Sequence, residues 1–304
     1  MTLLEVTQVN HLPEINGGYI FNTPEFQSLK AGEHVNFVLK DEDKVVARIF
    51  FNIKEGKAVS GYKATFGSID FNNSLSKEGI NYFLEEVIRR LTSKEVKDII
   101  IKHYPVIYNE DIGQALFTNL GFKLAEQNVN QHLLISADEF YYRIAKNEKK
   151  KLVQARKKGF EFKMLLPEDL EEIYHLIEET RKRKDYPVSM GYQELYDTIN
   201  TMPDKYLLFG LFDKKKLIAA SVSILISDNI LYNFYHADDF SYRSTSPLVM
   251  LVGKIYEYCQ HSSIVILDLG ISSENGLINE GLFIFKRNLG CETSNKNTYR
   301  LINE

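Results

Sequence analysis

The sequence contains no tryptophan and only two cysteines, Cys259 and Cys291, in 304 residues. Neither lies in a Cys-x-x-Cys pair, so a disulfide scaffold is excluded, and no Cys/His spacing fits a zinc site. No apolar run approaches the length of a bilayer span. Met1 to Asn10 lack the basic start of a secretory signal and carry Glu5, so a cytoplasmic, reducing location is expected. Charge of one sign is missing too: 37 Lys and Arg stand against 41 Asp and Glu, a net charge of −4. That balance argues against a wholesale nucleic-acid binder while allowing a local basic patch. No Gly-x-Ser-x-Gly elbow occurs, so a serine-hydrolase triad is not expected.

What is present is an ordinary apolar fraction, with 18 Tyr and 19 Phe as the large rings, and a length that suits two domains of roughly 150 residues each. A pattern recurs. Val35 to Leu39, a polar turn at Asp41-Glu42-Asp43-Lys44, and Val45 to Ile53 read as a β-hairpin. Tyr206 to Phe212, Asp213-Lys214-Lys215-Lys216, and Leu217 to Ile226 read as another. Each is followed by an amphipathic helix (Lys77 to Leu91; Pro247 to Cys259) and a short apolar strand (Asp98 to Ile101; Ile264 to Leu267). Each pattern closes on Asn-Leu-Gly, at Gly121 and Gly290, where glycine suits a helix stop at positive φ. Asp41 and Asp213 are 172 residues apart, and the two glycines 169. So small a drift across a whole domain points to duplication rather than shared punctuation.

Between the copies, Phe140 to Lys158 predicts a helix rich in Lys149, Lys150, Lys151, Arg156, Lys157 and Lys158, with Phe140, Ile144, Leu152 and Ala155 near helical spacing. Gly159 ends it. The charge suits either a solvated connector or attraction for phosphate, on a nucleotide-linked substrate or on RNA.

The order of elements resembles the GNAT acyltransferase fold, and the tandem arrangement with a basic helix resembles the FemAB peptidyltransferase superfamily. Four stretches carry the resemblance: Ala64 to Ile69; the run Lys149 to Gly159; Tyr242-Arg243-Ser244-Thr245-Ser246-Pro247; and Asp268-Leu269-Gly270 with Gly281-Leu282-Phe283-Ile284-Phe285-Lys286-Arg287-Asn288-Leu289-Gly290. It implies an α/β (α+β) architecture of two tandem GNAT-like domains, each a mixed sheet flanked by helices. The expected bounds are 1–136 for a degenerate first domain, 137–160 for the basic linker helix, and 161–304 for the domain carrying the site. It further implies transfer of an acyl or aminoacyl group to an amine, with acyl-CoA or aminoacyl-tRNA as donor substrate and no tightly bound cofactor. The acceptor would be an amine, such as a cell-envelope precursor, and tRNA would meet the basic run. An acyl-CoA-dependent transferase acting on a small amine, and a scaffold with a retired site, remain as alternatives.

Amide formation needs two substrates held together, an oxyanion stabilised and a proton removed. Asp268, expected at the end of an apolar strand, is a candidate to orient or deprotonate the amine, or else a loop cap. The resemblance favours Lys286 over its neighbour Arg287 for holding an anion or supporting the oxyanion. His236, on the strand Asn229 to His236, is a candidate base or a structural histidine, and Tyr235 a substrate contact. Arg243, Ser244, Thr245 and Ser246 precede a helix whose N–H groups could meet a donor phosphate, with a serine or threonine as the cap. A GNAT pyrophosphate loop is glycine-rich and basic, whereas here only Arg243 is basic, which weighs against coenzyme A. In the first copy His103 stands where the second has Asp268, and Tyr62, Lys63 and His103 are left as an acceptor surface.

Overall fold

A computed structural model describes residues 4–303 apart from 31, 110, 111 and 275. In chain order the strands and α-helices are β1 (Leu4–Val9), α1 (Pro24–Ser28), β2 (Glu33–Asp41), β3 (Lys44–Lys54), β4 (Lys57–Ser60), β5 (Asp70–Phe71), α2 (Lys77–Thr92), β6 (Asp98–Lys102), α3 (Gln114–Asn119) and β7 (Lys123–Leu134). They continue as α4 (Phe140–Arg143), α5 (Lys146–Lys158), β8 (Glu161–Leu165), α6 (Leu170–Arg183), α7 (Tyr192–Thr201), β9 (Tyr206–Asp213), β10 (Lys216–Ser227), β11 (Ile230–Asp238) and α8 (Pro247–Gln260). The last are β12 (Ile266–Ile271), β13 (Ser273–Glu274), β14 (Leu277–Ile278), α9 (Glu280–Asn288) and β15 (Glu292–Ile302).

The chain forms two compact units, one of residues 1–129, 273–278 and 294–304, the other of 130–272 and 279–293. The first has a mixed sheet in the order β1-β2-β3-β4-β6-β15, with β4 and β6 parallel and the other neighbours antiparallel. The second repeats it as β8-β9-β10-β11-β12-β7, with β11 and β12 the parallel pair. The duplication is thus present in strand order. Both hairpins also turn through a left-handed residue at the same place, Glu42 (φ 55°) and Lys214 (φ 57°). Gly121 and Gly290 both have φ 85°, as a left-handed stop after α3 and α9 requires.

Three boundaries differ from the sequence reading. β15 lies beyond residue 161 yet pairs with β6 of the first unit, while residues 130–134 of β7 pair with β12 of the second. Each unit takes its last strand from the other half of the sequence, which a continuous division cannot express. The basic segment is two helices rather than one, because Ile144 and Ala145 are extended. As the helical spacing predicts, Leu152 and Ala155 of α5 are buried, in the second unit's core cluster that also holds Val249 and Tyr256 of α8.

Period and capping explain the helices. In α2 the apolar positions Ile80, Phe83, Leu84, Val87 and Leu91 fall on one face and are buried with Phe37, Ile49 and Ile99 of the sheet. Each such side chain contributes roughly 1.5–3 kcal/mol by leaving water. Ser76 caps the helix by accepting the Gly79 N–H at 3.1 Å. Among the described residues no helix is long and apolar enough to cross a membrane.

Candidate functional site

In the second unit the parallel strands β11 and β12 pair at Ile230–Ile266, Leu231–Leu267 and Tyr232–Asp268, and no further. Past that point both strands are bulged. On β11, Tyr235 pairs with Val222 and Asn233 with Ser223, leaving Phe234 without a partner. On β12, Asp268 pairs with His132 and Ile271 with Asn130 of β7, so Leu269 and Gly270 together oppose Gln131. Gly270 has φ 78°, a conformation that favours glycine. Bulges re-aim groups beside active sites. Here they part the two strands into a wedge.

Lys286 projects into the base of this wedge from α9. It is only 2 % exposed, and its Nζ donates to the carbonyls of Gly270 and Ile271, each at 2.9 Å. Burial pulls its pKa down to about 8, opposed by the nearby Asp268 and Cys291. A helical lysine is ordinarily solvated, so this burial separates Lys286 from Arg287, which is exposed. Two carbonyls use two of the three ammonium protons, and one remains for a substrate oxygen.

Asp268 departs from its expected place. It lies inside β12 rather than at its end, 1 % exposed, with Oδ1 accepting from Gly270 N (2.6 Å) and Asn130 Nδ2 (3.0 Å). It thereby holds the Gly270 bulge, whose carbonyls at Gly270 and Ile271 accept from Lys286. His132 lies directly across from it and, with both ring nitrogens buried and unpartnered, is held neutral mainly by burial.

His236 lies on β11 beyond the bulge, half-buried, and its ring has no hydrogen bond among the described residues. Burial, then the charges of Lys286, Lys184 and Arg181, push its pKa down to about 3. It is therefore neutral and a weak base, able to accept a hydrogen bond better than to keep a proton. Tyr235 is 1 % exposed and not a free substrate contact: its hydroxyl accepts from Met190 N at 3.1 Å and pairs with Ser189 Oγ at 2.5 Å. The Arg181 guanidinium lies 5.5 Å from its ring centre.

The start of α8 also differs from expectation. Ser246 is left-handed (φ 46°), not in the extended conformation usual for a cap, and its side chain makes no capping bond. Thr245 Oγ1 donates to Tyr242 O at 2.8 Å instead. Ser244 and Arg243 are exposed; Arg243 sits 5.5 Å over the Phe240 ring, and its charge reaches Asp238 at the end of β11.

In the first unit His103 is fully buried, with Nδ1 bonded to Ser68 Oγ (2.8 Å) and Nε2 to Ile112 O (3.1 Å). Burial lowers its pKa to about 4. It is a core residue and not an acceptor surface. It also lies just beyond β6, whereas Asp268 is inside β12, so the two are not equivalent. Tyr62 is half-buried and Lys63 exposed, the latter left-handed at φ 49°.

The roles of Asn130, His132, Phe234 and Asn279 were not legible from local pattern, because their partners lie on distant segments or their role is set by a bulge. Arg181, Arg183 and Lys184 were legible as a charge run ending α6, but not as neighbours of His236. A cavity of about 530 Å³ beside α2 and α3, and one of about 480 Å³ beside the end of α8, share no residue with the wedge. Among the described residues no three His, Cys, Asp or Glu side chains gather as a metal site.

No family model matches the chain, and no curated protein does. Solved structures do. FemX superposes with a TM-score of 0.74 at 13 % identity, over 95 % of this chain and 93 % of its own. L-PGS from Bacillus licheniformis gives 0.57 at 12 % identity, over 85 % and 82 %. A tandem GNAT protein from the clavulanic acid biosynthesis pathway gives 0.52 at 9 % identity, over 94 % and 90 %. At these identities the likeness is one of fold. The chain has the tandem GNAT-like fold found in FemX.

Proposed function

We propose that the second unit catalyses N-acyl transfer, passing an acyl or aminoacyl group from an activated donor to an amine in the wedge between β11 and β12. The observation that carries this reading is Lys286, a buried ammonium held by two bulge carbonyls where the strands part. A structural role alone gives little reason to bury a lysine, since desolvation is costly. The FemX-like fold supports the same reading.

The chemistry follows from the positions. A neutral amine attacks the donor carbonyl, whose oxygen becomes an oxyanion. The remaining N–H of Lys286 stabilises it, in a site dry enough for that contact to count. The neutral His236 ring accepts a hydrogen bond from the attacking nitrogen and aligns its lone pair. As the tetrahedral adduct collapses, the carbon–oxygen or carbon–sulfur bond to the carrier breaks, and the carrier takes up the proton that the nitrogen loses. Asp268 keeps Gly270 in place throughout.

For the donor, aminoacyl-tRNA is favoured over acyl-CoA. Lys146, Lys150, Lys157 and Lys158 are exposed on α5, and Lys149 stands 5.1 Å from the Tyr141 ring centre, a mixture suited to RNA phosphates and bases. Lys151 and Arg156 are partly spent on Glu148 and Glu257. Arg243, Ser244, Thr245 and Ser246 form no glycine-rich cradle for a pyrophosphate. The acceptor is an amine, in the FemAB-like reading a cell-envelope precursor met in the cytoplasm, and no cofactor is retained between turnovers. A thermal-shift series with acetyl-CoA, longer acyl-CoAs, charged tRNA and nucleotide-linked amines tests this, since a ligand of the native state raises the melting temperature. A shift with charged tRNA and an amine product labelled from it are expected. No shift with any donor from a well-folded protein would favour a retired scaffold, and a shift with acyl-CoA alone would move the donor to that class.

A further inference from the structure

Residues 184–191, between α6 and α7, are anchored at two points. At the far end Tyr235 of β11 takes the Met190 N–H and bonds Ser189 Oγ, while Tyr174 Oη donates to Met190 O at 3.1 Å. At the near end Asn279 Nδ2 donates to Tyr186 Oη at 2.6 Å. Asn279 is itself a junction: its Oδ1 caps α9 by accepting Leu282 N at 3.1 Å, and its N–H bonds Ser272 O, just past β12, at 2.9 Å. One anchor thus belongs to β11 and the other to the exit of β12. Both lie on the side where the strands have parted, so residues 184–191 bridge the two walls of the wedge. Lys286 is seven residues, about two turns, beyond Asn279 and on the same side of α9.

We infer that residues 184–191 are a strap across the wedge, and that Tyr186 is a positioning residue which latches the strap to Asn279 and thereby fixes the start of α9 and the reach of Lys286. Substrates enter when the Tyr186–Asn279 bond opens and are enclosed when it reforms. The bond suits a latch, because the near end otherwise bonds back to α6, Tyr186 N to Arg181 O at 3.0 Å, and the Tyr186–Asn279 bond ties it to α9. The strap is read from geometry alone, while its effect on rate rests on the transfer reading above.

Limited trypsin digestion tests the strap without any assay of activity. Lys182, Arg183 and Lys184 are exposed cleavage sites at its near end, and cutting there requires the local chain to open. Tyr186→Phe keeps the ring and removes the latch, so cleavage at these residues should speed up about fivefold, the weight of one neutral hydrogen bond. Asn279→Asp keeps the cap and lets the Tyr186 hydroxyl donate to the carboxylate, so it should digest like the wild type. The Tyr186→Phe, Asn279→Asp double variant should digest like Tyr186→Phe. In kinetics, Tyr186→Phe should lower kcat about fivefold, with Asn279→Asp near wild type. Unchanged digestion of Tyr186→Phe overturns the strap whatever happens to kcat. Faster digestion with no transfer by any form, wild type included, keeps the strap and sinks the transfer reading.

Discussion

Both units contain a pair of parallel strands that cease pairing partway, and they differ in what lies beyond the last pair. In the first unit β4 and β6 pair from Lys57–Asp98 to Ser60–Ile101, and the space beyond is plugged. Gly67 N donates to Lys102 O at 2.8 Å, Ser68 N to Ser60 Oγ at 2.7 Å, and Ser68 Oγ meets His103 Nδ1. The chain at Gly61 and Gly67 passes so closely that a methyl on either would overlap the other's backbone. In the second unit the same gap is framed by bulges at Phe234 and Gly270 and holds the head of Lys286. Duplicated folds can divide labour this way. One copy fills the gap with its own backbone and gains a rigid core; the other buries a charge there.

The comparison is most sharply tested at the two clefts themselves. Lys286→Met should lower kcat/KM by about 10²–10³, the scale of one lost oxyanion donor, measured with any active donor–acceptor pair. Its melting temperature should hold or rise, because the native state no longer buries an ammonium. Full activity would remove Lys286 from the site. Gly67→Ala should do the reverse, destabilising the first unit by about 3 kcal/mol or more in urea titration while any folded fraction keeps its rate. A stability equal to wild type would mean the plug has slack. Next comes acid. The folded-state pKa of His103 is about 4 against an ordinary imidazole's 6.5, so between these values the unfolded chain binds more protons. Stability should fall as pH drops through that window, by about 2 kcal/mol from this residue at pH 5. Chemical denaturation at pH 7 and pH 5 checks it, and His103→Asn should flatten that dependence. Gly270→Ala should cost about 1–2 kcal/mol for the left-handed backbone, with loss of transfer as the carbonyls turn from Lys286. Ser68→Gly should be nearly neutral, within about 1 kcal/mol, since relief at φ 78° offsets a lost hydrogen bond.

Much of this architecture was legible because it is local. The hairpins around Glu42 and Lys214, the amphipathic face of α2 and the stops at Gly121 and Gly290 depend on residues a few positions apart. The exchange of β7 and β15 was not, since nothing in Thr298–Ile302 marks β6 as its partner rather than a nearer strand. At the site, Lys286 was found through a motif, but its burial follows from the Gly270 bulge, and that in turn from Asn130, 138 residues before Asp268. Period-two alternation puts Tyr235 and His236 on opposite sides of the strand, and there they lie, Tyr235 bonded to Ser189 and Met190 and His236 within reach of the Lys286 charge. The bulge at Phe234 was not legible. Period-two alternation cannot show that, because a bulge breaks the period.

The strand exchange also bears on how the protein comes off the ribosome. The sheet of the first unit lacks β15 until residues near 302 have emerged, although its hairpin and α2 are complete by Thr92. During that interval the outer edge of β6 stands unpaired, the kind of exposed edge that recruits other chains. Residues 1–136 expressed alone would be held at that stage, and a peptide spanning residues 292–303, supplied in trans, would be the missing edge.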